Sequence, residues 1–81
     1  MSISSKTLKE AQKLFGKNLR NKRTAKGLTQ LDLATICDLE HTTISRIENG
    51  RTNITLKSVL LLSTALEIHI QELFQFEMNI E

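Results

Sequence analysis

Proline, low-complexity tracts, internal repeats and linker-like stretches are all missing from the chain. Nothing in it marks a boundary, so residues 1–81 are expected to form a single domain. Cysteine occurs once, at Cys37, which rules out an internal disulfide, and no Cys/His cluster has the spacing of a zinc site. The fold must then rest on apolar packing in a reducing compartment, and a cytoplasmic location is expected. Long apolar runs are missing too. The opening stretch MSISSKTLKEAQKLF lacks the core of a signal peptide, and nothing approaches the roughly 18 apolar residues of a membrane span, so a soluble chain with no membrane partner is expected. At 81 residues the core is only just sufficient, which leaves little volume for a catalytic cavity. There is no Ser/His/Asp arrangement, paired-carboxylate site or phosphate-cradling glycine loop, and His41 and His69 fall in different elements with no companion cysteine. An enzyme is therefore disfavoured, and no cofactor or metal is expected.

What is present is a lopsided distribution of charge. Residues 1–30 carry Lys6, Lys9, Lys13, Lys17, Arg20, Lys22, Arg23 and Lys26 against Glu10 alone, a net of +7. The rest carries Arg46, Arg51 and Lys57 against eight carboxylates, a net of −5, and the two halves sum to the overall +2. Any single lysine reads as part of a solvated helix face. The cluster as a whole points to one surface for a polyanion and a different surface for something else.

The apolar pattern is helical. From about Thr7 to Lys26, Leu8, Ala11, Leu14, Phe15, Leu19 and Ala25 recur at three- and four-residue spacing with lysines between them, and Gly27 supplies a stop. Thr29 has the features of an N-cap, with Asp32 three residues on as a short-armed capping box, and Leu31, Leu33, Ala34, Ile36 and Cys37 follow as a second helix. A corner at Asp38-Leu39-Glu40 leads into a third, from about His41 to Asn49, with Ile44 and Ile47 inward and Gly50 closing it. Two short helices joined by about three residues make a helix-turn-helix. Thr55 can cap a fourth helix, Leu56 to Leu66, and IHIQELFQF carries a fifth.

Phe15, Leu19, Arg20, Arg23, Gly27-Leu28-Thr29-Gln30, Leu33-Ala34, Ile44-Ser45, Ile47-Glu48-Asn49-Gly50, Leu56, Leu66 and Glu72-Leu73-Phe74 together resemble the phage-repressor (Cro/Xre-type) helix-turn-helix family, over about three quarters of the chain. The length is also similar to that of the small controller proteins of restriction-modification systems. The resemblance implies an all-α, compact five-helix, lambda-repressor-like DNA-binding domain, with the motif at about 30–49. It implies a transcriptional regulator, a repressor or autoregulator, on double-stranded DNA with a palindromic operator. In such a motif the third helix enters the major groove, which makes His41, Thr42 and Arg46 the implied base readers, with Thr43 and Ser45 next in line. A guanidinium can hold guanine O6 and N7 with two parallel bonds, so Arg46 is the foremost of them. Gln30 and Asn49 match phosphate-binding positions, with Arg20 and Arg51 as further phosphate contacts. Arg23 and Glu48 match a largely buried ion pair of structural rather than DNA-binding role. Two departures stand out: Asp38 occupies a corner where the family usually has glycine, and Glu40 a helix start where it often has Ser or Thr.

A homodimer is expected from about residues 56–81. On a helical wheel Leu56, Val59, Leu60, Ser63 and Leu66 share a face, and Leu61 falls nearly opposite. In the tail, Phe74, Phe76, Met78 and Ile80 alternate with polar residues, the period of a strand that could pair with its own copy across a two-fold axis. The alternative is that the fifth helix continues and Phe76 packs on the monomer core. The rival function is an antitoxin whose main partner is a toxin protein, with DNA binding secondary. The dozen or so residues on each side of the motif leave little for a toxin-binding extension, which favours the regulator.

Overall fold

The computed structural model describes residues 2–78. Its elements in chain order are α1 (Ser5–Ala25), α2 (Gln30–Cys37), α3 (His41–Glu48), α4 (Leu56–Leu66) and a short 3-10 helix (Ile70–Phe74). Four α-helices form where five helices were expected. The fifth segment is too short and too tightly wound for an α-helix, and ends at Phe74. Each start has a local cause at three of the four α-helices: Ser4, Thr29 and Thr55 accept from the backbone N–H three residues on. At α2 the box is reciprocal, since the Thr29 N–H donates to Asp32 at 2.9 Å, and this bond holds the Asp32 carboxyl below its ordinary range. Glu40 opens α3 without a side-chain cap.

The four helix ends share one design. A left-handed residue follows each last turn, Gly27, Asp38, Gly50 and Glu67, and the next residue's N–H reaches back five positions: Leu28 to Arg23, Leu39 to Ala34, Arg51 to Arg46 and Ile68 to Ser63. These closures absorb the orphan carbonyls of each final turn.

The core gathers Phe15, Leu19, Leu33, Ala34, Cys37, Ile44, Ile47, Val59, Leu62, Leu66 and Leu73. Each short helix contributes two or three side chains, so none of α2, α3 and α4 could hold its shape alone and the packing supplies the stability. α1 crosses α3 at Gly16, where a β-carbon would strike the carbonyl oxygen of Ile47 and come within 2.6 Å of that of Glu48. This close crossing sets α3 against the long helix α1.

Several side chains lie elsewhere than the sequence pattern places them. Leu8, Leu31 and Ile36 are exposed. In α4 the buried face is Val59, Leu62, Ser63 and Leu66, while Leu56 and Leu60 are 69% and 50% exposed and Leu61 is half-buried against the core. The wheel expectation fails because α4 packs on both α2 and the 3-10 helix, which turns Leu62 inward and Leu60 outward. The tail does not form a strand among the described residues. Phe74 ends the 3-10 helix, and Gln75 (φ −79°, ψ 75°) makes an inverse γ-turn with the Phe76 N–H donating to the Phe74 oxygen at 2.9 Å. Phe76 then packs on the core, Phe74 lies half-exposed with its ring 5.2 Å from that of Phe15, and Met78 is half-buried. Lys22 to Gln75 and Asn18 to the Glu72 carbonyl fasten this segment to α1. Ile80 lies outside the described residues.

Candidate nucleic-acid interface

α3 has two faces because its eight residues alternate with helical period. Ile44, Ile47 and Glu48 point inward, and His41, Thr42 and Arg46, followed by Asn49 at its end, are exposed along the opposite side. Thr43 and Ser45 flank that surface half-buried, and Ser45 Oγ accepts from Asn49 Nδ2 at 3.3 Å. The Arg46 side chain makes no hydrogen bond or ion pair among the described residues, so its guanidinium is free to meet a ligand. Arg20 and Arg51 are exposed and likewise unpaired among the described residues.

Behind this surface a polar network joins three helices. Arg23 of α1 grips Glu48 of α3 with two parallel bonds, Nε to Oε2 at 2.6 Å and a terminal nitrogen to Oε1 at 2.9 Å, and its other terminal nitrogen donates to the Leu28 carbonyl at 2.7 Å. The hydrogen bond to Glu48 raises the Arg23 pKa, so the guanidinium stays charged at any ordinary pH. Gln30, at the start of α2, donates from Nε2 to Glu48 at 3.1 Å and meets His41 Nε2 with Oε1 at 3.1 Å. A carboxylate only accepts, so the Gln30 amide nitrogen must face Glu48. Its oxygen then needs a donor, which assigns a proton to His41 Nε2.

The chain Arg23–Glu48–Gln30–His41 thus runs from the core to the first residue of α3. Sequence reasoning treated Gln30 and His41 as separate contacts and missed their bond. Both stand at the first position of their helices, but only the angle between α2 and α3 brings them together, and no local pattern gave a signal for it. Of the remaining positions singled out for dimerisation, Leu61 lines a surface groove with Ile36, Cys37, Leu56, Leu60 and Ala65, whereas Phe74, Phe76 and Met78 do not line it. Among the described residues no group of three His, Cys, Asp or Glu could hold a metal ion, and no helix is long and apolar enough to cross a membrane.

Comparison with known proteins places this geometry. The helix-turn-helix family matches residues 19–73. The control protein C.BamHI of Bacillus amyloliquefaciens is 39% identical over 64 residues, covering 78% of this chain and 79% of that protein. The control protein C.MunI of a Mycoplasma species is 39% identical over 61 residues, covering 74% and 82%. Among solved structures, the restriction-modification controller protein C.AhdI from Aeromonas hydrophila superposes with a TM-score of 0.77 at 43% identity, over 78% of this chain and 96% of that one. The chain belongs to the helix-turn-helix family of DNA-binding transcription regulators.

Proposed function

We propose that the chain is a homodimeric regulator of a restriction-modification system, acting in the cytoplasm as a repressor or autoregulator on a palindromic operator. The observation that carries this reading is the exposed face His41–Thr42–Arg46 of α3, on which the Arg46 side chain has no partner among the described residues, held in place by the buried Arg23–Glu48 pair. In the bound state Arg46 reads a guanine and His41 and Thr42 contact neighbouring base edges, with Thr43 and Ser45 at the margins. Gln30, Asn49, Arg51 and Arg20 fix the register on phosphates. The controller role follows from C.BamHI, C.MunI and C.AhdI, whose likeness spans most of both chains in each case. No observation favours the antitoxin alternative with its toxin partner, and no catalytic step is assigned to any residue.

Dimerisation is argued from the groove between α2 and α4. Ile36, Leu56 and Leu60 are each at least half exposed and adjoin half-buried Leu61 and Ala65, an apolar face with no counterpart in the monomer. A second copy covers it by a two-fold axis and supplies the second recognition helix. Selection of duplexes from a random pool by the full chain tests this. The expected consensus is two-fold symmetric, with half-site centres roughly 34–36 Å apart, one helical turn. A consensus with a single unsymmetrical site would contradict the dimer.

A further inference from the structure

The first half of α1 is not held by the core. Its buried residues begin at Phe15, and every residue from Ser5 to Leu14 is exposed or half-buried. That half is nonetheless fastened beside the recognition helix. Gln12 Nε2 donates to Asn53 Oδ1 at 2.8 Å, and Gly50, just past α3, sits so close that a β-carbon there would lie 2.9 Å from the Lys13 Cα.

The helix carries Lys6, Lys9, Lys13, Lys17 and Arg20 at spacings of three, four, four and three. At about 100° per residue these fall within an arc of about 80°, and at 1.5 Å per residue the stripe they form is about 21 Å long. All five are exposed, and none of their side chains forms an ion pair or hydrogen bond among the described residues. Lys22 and Arg23 leave the stripe for Gln75 and Glu48. The arrangement is unfavourable for the helix by itself. Like charges three and four residues apart repel, and the first turn holds Lys6 and no acid, against the sense of the helix dipole. A polyanion lying along the stripe would relieve both terms.

We infer that this stripe is a second DNA-binding surface, which follows the phosphates flanking the segment read by α3 and continues the line of contacts begun by Asn49 and Arg51. The inference rests on the proposed reading of DNA by α3. It predicts a contact that is strong, indifferent to sequence and dependent on flanking duplex.

The test uses the full chain and the duplex it selects from a random pool, either trimmed to the selected segment or extended by about one turn of arbitrary sequence at each end. The variant is Lys6→Gln/Lys9→Gln/Lys13→Gln, with Lys6→Arg/Lys9→Arg/Lys13→Arg as the charge-conserving control. Glutamine and arginine are helix formers comparable to lysine, so α1 is retained in both. The wild type should bind the extended duplex more tightly than the trimmed one, and the glutamine variant should lose that gain. Its log–log salt slope on the extended duplex should shrink by about 0.9 for each cation removed, close to 3 in all. The arginine control should keep the wild-type slope, and both variants should keep the preference for selected over random sequence. An unchanged slope in the glutamine variant, or the same loss in the arginine control, would overturn the stripe. Failure of the α3 reading has a separate signature: the wild type would select no sequence, while the salt slopes would still report on the stripe.

Discussion

Arg23 and Glu48 lie 25 residues apart in the chain, and their side chains are 9% and 2% exposed. Burying two charges costs solvation that only the paired geometry offsets, so losing one partner is far worse than losing both. Arg23→Ala is expected to lower stability by about 3–5 kcal/mol, read from urea unfolding, because Glu48 keeps only the Gln30 amide. Arg23→Met combined with Glu48→Leu should be markedly more stable than either single loss of charge. If the double substitution is as damaging as the single one, the pair is not what holds α1 to α3. The residue pattern made these two positions legible through the family resemblance, since each has a fixed place relative to the helix-turn-helix. The hydrogen bond between Gln30 and His41 was not legible, because it depends on the angle at which α2 meets α3, which no local pattern encodes.

Among the elements, the corner between α2 and α3 is the point where sequence and geometry disagree. Asp38 adopts φ 55°, ψ 41°, a region that costs an ordinary L-residue about 1 kcal/mol and glycine almost nothing. Asp38→Gly should therefore raise stability by roughly 0.5–1 kcal/mol in a denaturant titration without altering DNA binding. A loss of stability would mean that the Asp38 side chain contributes something its backbone strain conceals. The limits of α4 were readable to the residue from Thr55 and the apolar run, and α1 and α3 to within two residues. The buried side of α4 was not, because a helix rich in leucine all round has no unique inward face until its neighbours are placed. The tail shows the same limit: a period of two is satisfied by Phe74, Phe76 and Met78, yet an inverse γ-turn at Gln75 and the bonds from Lys22 and Asn18 fold the segment onto α1 instead.

At the scale of the whole molecule, charge and apolar surface are separated. Lys13, within the cationic stripe of α1, lies beside the end of α3, and the exposed Ile36, Leu56 and Leu60 lie between α2 and α4. Leu60→Asp puts a charge in the centre of that groove, at a position already half exposed, so the monomer should fold normally. In sedimentation equilibrium at micromolar concentration the wild type should be a dimer and Leu60→Asp a monomer with weakened operator binding. A dimer in both would move the interface elsewhere. The central claim is that α3 reads base sequence, and it is tested most directly by comparing the affinity of wild type and Arg46→Ala for the selected duplex and for random duplex in the same salt. Loss of a bidentate contact should cost about 1–3 kcal/mol on the selected sequence, roughly 5- to 150-fold, with little change on random DNA beyond that of one lost positive charge. Equal weakening on both duplexes would make Arg46 a phosphate contact and contradict the reading of α3.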